Sequence, residues 1–212
     1  MRYKGILFDL DGTLLDTNEL IIKSFQHTFK VHYNREIDVD VVRAYFGKPL
    51  RAALEYLGPD KIEELTATYR EFSEANHKRL TKIFPKVADT IKTLADNNVK
   101  LGVVTSKKGL RAKLGLELFD IRQYFSVIVG CDSCSNYKPH PEPVEFAVKT
   151  LKLTADECLM VGDSPFDLAS GKGAGVKTAA VRWTDLPWAV LEAENPDYIL
   201  ESITDLLGIC EN

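Results

Sequence analysis

Residues 8–16 read FDLDGTLLD and follow directly on the apolar run Gly5-Ile6-Leu7-Phe8. A buried strand that ends in Asp9 and Asp11, with Gly12-Thr13 at once behind them, carries much charge at its tip. Two carboxylates this close repel each other and are costly to take out of water. Either the pair is a solvated turn, or it holds a cation and does chemistry. What the rest of the chain brings to the same edge decides between the two.

The pattern on the C-terminal side of this stretch is helical. Asp16-Thr17 offers an N-cap, and Leu20, Ile21, Phe25, Thr28 and Phe29 recur at helical spacing. Asp38 can cap a short helix ending near Phe46, Gly47-Lys48-Pro49 breaks the chain, and residues 50–57 resume a helix closed by Gly58. Pro59 can open the next helix as its first residue, running to about Leu80. From Val87 onward the pattern alternates. Strands are expected at 100–105, 125–129, 157–161, 177–181 and 198–200, and helices at 87–97, 110–118, 141–151, 166–171 and 202–207. Alternation of this kind predicts a parallel sheet covered on both faces. The expected fold class is therefore α/β: a Rossmann-like doubly wound parallel sheet with an inserted all-helical cap. Residues 1–16 and 85–212 would form the core and 17–84 the cap.

The bulk properties agree with a fold of this kind. The chain has 212 residues, 45% of them hydrophobic, and a net charge of −4 with mixed signs. A core of useful size can be buried, and the acidic balance excludes a dedicated nucleic-acid binder. No apolar run reaches the length of a membrane span and no signal-peptide pattern opens the chain, so a cytoplasmic protein is expected. The four cysteines are then reduced thiols. Cys131-Asp-Ser-Cys134, with His140 and Cys158 as further ligands, is a zinc or redox pattern only if a second pair accompanies it, and ordinary loop thiols are the expectation. Gly171-Lys-Gly-Ala-Gly175 lacks the context of a nucleotide loop and reads as a helix end. His27, His32, His77, Trp183 and Trp188 read as packing or surface residues.

Ligands of open α/β sheets bind outside the carboxyl ends of the strands. The first expected strand delivers Asp9 and Asp11 there, the second Thr105 and Ser106, the loop after the third Lys138, and the fourth Asp163 with Asp167 four residues on. Oxygen ligands alone suit Mg²⁺. Mg²⁺ with a lysine and hydroxyls makes a site for a phosphate group. Asp9 attacking phosphorus would meet a dianion, and the metal and Lys138 offset that repulsion. Asp11 then serves as general acid to the leaving oxygen and afterwards as base to water. Gly12, Thr105, Ser106 and Lys138 are the expected phosphate ligands, and Asp9, Asp11, Asp163 and Asp167 the expected metal set. Lys107 adjoins Ser106.

These residues together resemble the four signatures of the haloacid dehalogenase superfamily: Asp9-Leu-Asp11-Gly12-Thr13, then Thr105, then Lys138, then Gly162-Asp163-Ser164 with Asp167. The resemblance implies a Rossmann-like core, a helical cap inserted after the first signature, Mg²⁺, and an aspartyl-phosphate on Asp9. An acid at position 11 is what the phosphatase and phosphomutase members have. Lys138-Pro-His-Pro-Glu-Pro-Val144, Ala180-Val-Arg-Trp-Thr184 and Pro196-Asp-Tyr-Ile-Leu200 resemble the phosphoglycolate phosphatases and, more closely, the bacterial pyrophosphatases. Two departures stand out: Lys86, where relatives usually have Gly, and His140, where a small or acidic residue is usual. The expected substrate is a small anionic phosphate or pyrophosphate, gripped from the cap by Gly47, Lys48 and Arg51. A phosphomutase of the β-phosphoglucomutase type is the alternative within the enzymes, and a receiver-like phosphorylation switch the alternative from another class. No nucleic acid or membrane partner is expected, and the chain is read as a monomer or weak homodimer.

Overall fold

The computed structural model describes residues 2–211. Its centre is a sheet of short apolar strands: β1 (Gly5–Phe8), β4 (Lys100–Val104), β5 (Phe125–Val129), β6 (Cys158–Gly162), β7 (Lys177–Val181) and β8 (Tyr198–Leu200). The order across it is β5-β4-β1-β6-β7-β8, and every pairing is parallel. Strand order therefore reverses at β1, which pairs Ile6 with Leu101 on one side and with Leu159 on the other. That reversal is where such sheets open a crevice at their carboxyl ends.

Alternation along β1 divides the interior. Ile6 and Phe8 face one apolar layer, with Val87, Ile91 and Leu94 of α5 (Val87–Asp96), Ala112 and Leu116 of α6 (Gly109–Glu117) and Leu206 of α10 (Asp205–Glu211). Leu7 faces the other, with Val144, Ala147, Val148 and Leu151 of α7 (Glu142–Leu151). Helix α8 (Pro165–Gly173) packs on β6 and β7, where Gly171 lies against Thr178 and Met160. Each large side chain so buried contributes about 1.5–3 kcal/mol. The central strands β1, β4 and β6 are thus apolar on both faces, and their polar neighbours lie at the ends.

Between β1 and α5 stand α1 (Asn18–Tyr33), α2 (Val39–Arg43), α3 (Leu50–Leu57) and α4 (Ile62–Leu80), with an apolar centre of their own around Phe25, Phe29, Val42, Leu54 and Leu65. The chain enters and leaves this helical layer through a two-stranded antiparallel ribbon, β2 (Leu15–Asp16) against β3 (Lys82–Ile83). Two-residue strands have no readable periodicity, and the sequence did not predict them. Neither did it predict α9 (Trp188–Glu192).

Several helix starts differ from expectation. Pro59 does not open α4, which begins at Ile62; the Lys61 N–H donates to the Gly58 carbonyl, placing Pro59 second in a turn, where its fixed φ also fits. Thr17 precedes α1 but caps nothing with its side chain. The Asn18 N–H reaches Asp16 at 3.3 Å, and the Thr17 hydroxyl is used elsewhere. The last helix starts at Asp205 rather than 202, because the Asp205 carboxylate accepts from the Glu201 and Ser202 N–H groups.

Candidate active site

Of the residues singled out at the strand ends, Asp9, Lys138, Asp163 and Asp167 come together at the reversal point. Asp9 continues β1, its N–H donating to the Val161 carbonyl at 2.9 Å. Thr105 continues β4 in the same way toward Val129. Asp163 follows β6, and Asp167 is the third residue of α8. A capping box builds that helix start: the Ser164 hydroxyl and N–H both donate to Asp167 Oδ2, at 2.7 and 3.0 Å. One carboxylate oxygen of Asp167 is thereby committed to the fold, and Oδ1 faces the site.

Lys138 ties the set together. Its Nζ donates to Asp9 Oδ1 at 2.6 Å, to the Val104 carbonyl at 2.8 Å and to Asp167 Oδ1. Lys138 is 4% exposed and Asp9 5%, so this ion network is shielded from water. Burial pulls the Lys138 ammonium down, but Asp167 and Asp9 outweigh it and hold it charged well beyond the ordinary lysine range. Burial pushes Asp9 up, Lys138 opposes, and Asp167 and Asp11 push up again, leaving it at about 7. Asp163 is driven well above its usual range by burial, then by Asp9 and Asp167; its Oδ1 accepts from Thr13 at 3.2 Å.

Oxygens of Asp9, Asp163 and Asp167 lie within 4.8 Å of one another. Three buried carboxylates face one ammonium, so negative charge remains to be neutralised. An all-oxygen donor set with surplus charge fits a hard divalent cation. Among the described residues this is the only group of three or more side chains placed to hold a metal. Cys131, Cys134, His140 and Cys158 are not part of it, and Cys158, read as a loop thiol, is buried in β6.

Other expected residues have different neighbours. The Asp11 side chain is not part of the acidic group: its Oδ1 accepts from the Thr17 hydroxyl and from Lys107 Nζ, both at 2.7 Å. Gly12 (φ 87°) must be glycine because a Cβ there would overlap the Asp163 carboxylate, so its small size serves the fit of the first signature to the fourth. The Ser106 hydroxyl, expected on phosphate, donates to the Gly47 carbonyl at 2.6 Å. Gly47 (φ 81°) lies close over the start of α8: a Cβ there would be 2.9 Å from Ser164 Oγ and from Phe166. Lys48 stays near this contact, its Nζ 4.8 Å from the Tyr45 ring centre and 5.9 Å from that of Phe166. Arg51 does not reach the site. It is held by Glu55 at 3.1 Å and Glu63 at 2.6 Å on the exposed side of the helical layer.

Sequence reasoning left Thr13 on Asp163 and Ser164 on Asp167 unassigned, read Thr17 as a helix cap, and grouped Lys107 with Ser106 rather than with Asp11. Thr13 and Ser164 lie inside the quoted signatures and were within reach of a capping argument. Lys107 has no local signal; only the fold brings it 2.7 Å from a residue 96 positions away.

The chain matches the family model for haloacid dehalogenase-like hydrolases over residues 6–181. It is 42% identical to a protein of Anoxybacillus flavithermus named pyrophosphatase PpaX, over 99% of this chain and 97% of that one. A pyrophosphatase PpaX of Bacillus cereus is 40% identical, over 100% of this chain and 98% of its own length. Among solved structures, a haloacid dehalogenase-like family hydrolase from Streptococcus pneumoniae superposes with a TM-score of 0.86 at 28% identity, covering 98% of each chain. No helix of the described residues is long and apolar enough to cross a membrane. Signatures, fold, acidic centre and relatives agree: the chain belongs to the haloacid dehalogenase-like hydrolases.

Proposed function

We propose that the chain is a Mg²⁺-dependent phosphatase of the cell interior that hydrolyses pyrophosphate, and small phosphate monoesters less well, through an aspartyl-phosphate on Asp9. The single observation that carries this reading is the buried network in which Lys138 holds Asp9 and Asp167 beside Asp163. Asp9 is the nucleophile. Lys138 orients it and offsets the charge of the incoming phosphoryl group. Asp9, Asp163 and Asp167 would hold the divalent ion, which when bound supplies the charge neutralisation that lets a carboxylate approach phosphoryl oxygens. Asp11, turned to Thr17 and Lys107, carries the proton to the leaving oxygen and later takes one from water. Thr105, buried at the end of β4, binds the phosphoryl oxygens. Residues 17–84 act as a cap that shields the site, with Gly47 and Lys48 at its contact with the core and Arg51 as part of its outer surface.

The pyrophosphate assignment draws on the printed names of the relatives at 40–42% identity. The test is a panel of pyrophosphate, phosphoglycolate, hexose phosphates and nucleotides with Mg²⁺. The expected result is release of phosphate from pyrophosphate at a kcat/KM at least tenfold above the rest, about 1.4 kcal/mol of discrimination. Glucose 1-phosphate as the preferred substrate, converted to another sugar phosphate rather than to free phosphate, would replace this reading with a phosphomutase.

A further inference from the structure

Asp11 has partners unlike those of the other acids, and one of them has a consequence for the leaving group. An acid that protonates the departing oxygen must stand within about 2.6–3.2 Å of it. Lys107 Nζ is 2.7 Å from the same Asp11 carboxylate. The ammonium therefore lies within two hydrogen-bond lengths of the atom where the leaving group begins. An ammonium has three donors, and Asp11 takes one. In an alkyl or aryl ester the next atom of the leaving group is carbon, which accepts nothing. In pyrophosphate the next atom is phosphorus, which carries oxygens that accept well.

The surroundings of Lys107 favour an anion. Its side chain is 23% exposed, so the charge is only partly screened. Arg111, four residues on in α6, is paired with Glu74 of α4, a link that joins the helical layer to the core. Arg70, one turn before Glu74, lies near enough to Arg111 to depress it further, after burial. His77, one turn beyond Glu74, is depressed by burial and then by Lys107, with Asp11 opposing. Between α4 and the loop that precedes α6, then, Lys107, Arg111 and Arg70 are faced by the carboxylates of Asp11 and Glu74 and by the imidazole of His77.

We infer that Lys107 is a specificity-determining residue: it binds the outgoing phosphate of pyrophosphate next to Asp11, and so selects substrates whose leaving group is an anion. The inference rests on the pyrophosphatase reading above and names the residue that gives it. Asp9 attacks one phosphorus, the bond from that phosphorus to the bridging oxygen breaks, and the bridging oxygen takes the Asp11 proton and leaves as phosphate beside Lys107. Water then attacks the phosphorus on Asp9, Asp11 takes the proton, and the second phosphate departs. One pyrophosphate and one water give two phosphates.

The test compares pyrophosphate with phenyl phosphate, whose leaving group also needs the Asp11 proton but is uncharged once protonated. Both are assayed with Mg²⁺ in the wild type, Lys107→Met, Lys107→Gln and Lys107→Arg. The expected result is a loss of kcat/KM in Lys107→Met and Lys107→Gln that is at least tenfold larger for pyrophosphate than for phenyl phosphate, chiefly through KM. Lys107→Arg should recover most of the difference. Equal losses on the two substrates would mean that Lys107 serves only to position Asp11, and would overturn the inference, as would unchanged pyrophosphate turnover in both uncharged variants. A wild-type enzyme that does not cleave pyrophosphate would sink the pyrophosphatase reading itself and the inference with it, and that result is visible before any variant is made.

Discussion

Replacing Lys138 with Met keeps the apolar stem and removes the one ammonium that faces Asp9 and Asp167. Three charge-assisted hydrogen bonds are lost, to Asp9, Asp167 and the Val104 carbonyl, at about 1.5–3 kcal/mol each, and a buried ion pair is broken, which costs about 3–5 kcal/mol in comparable cases. The two figures describe the same interactions, so about 4 kcal/mol of destabilisation is expected at pH 8, where the carboxylates are pressed to ionise. The sign of the pH dependence follows from the acids. Asp9 is raised from 3.8 to about 7 in the folded chain, so between those values the folded state keeps a proton that the unfolded state releases. Stability then falls as pH rises through this window. Removing Lys138, which holds Asp9 down, raises that carboxyl further and carries the fall to higher pH, whereas at pH 5 the folded protein can neutralise it by protonation. Urea unfolding of wild type and Lys138→Met at pH 5 and pH 8, with chelator present, should show the larger loss at pH 8. A loss under about 1 kcal/mol, the range of exposed pairs, or a loss equal at the two pH values, would refute the reasoning.

Other expectations follow from the same geometry. Divalent ions should compete with protons for Asp9 and Asp163, so Mg²⁺ should raise the melting temperature more at pH 8 than at pH 5; an effect of equal size at both would deny that these acids hold it. Lys86 is exposed and sits at φ 65°, where a non-glycine residue is strained by about 1–2 kcal/mol. Lys86→Gly should therefore stabilise the chain by about 0.5–1 kcal/mol after the added chain entropy of glycine is set against it, read as an increase in urea midpoint with unchanged slope. Gly12→Ala puts a methyl group into the Asp163 carboxylate, and calorimetric titration with Mg²⁺ should show affinity reduced at least tenfold in a protein that remains folded.

Much of the core was legible because its central strands are short apolar runs buried on both faces and set apart by helices with clear periodicity. Placing Asp9, Thr105, Lys138 and Asp163 at one edge needed only that alternation and the rule that polar groups gather at strand ends. What escaped had no local signal. Lys107 meets Asp11 across the fold, and nothing near it in the chain announces the meeting. The ribbon of Leu15–Asp16 and Lys82–Ile83 is too short to show a period. Arg51 was expected on substrate because it lies near a break between helices, yet Glu55 one turn on and Glu63 of α4 hold it outward. Pro59 is compatible with both a helix start and a turn, and a single backbone hydrogen bond to Gly58 decides for the turn.

The proposed mechanism requires a covalent phosphoryl group on Asp9, and acid quenching during turnover of pyrophosphate with Mg²⁺, followed by peptide mass analysis, reads this directly. One phosphoryl group on the peptide that contains Asp9 in the wild type, absent together with turnover in Asp9→Asn, is the result expected. Undiminished turnover in Asp9→Asn, with no phosphorylated peptide in either protein, would contradict it.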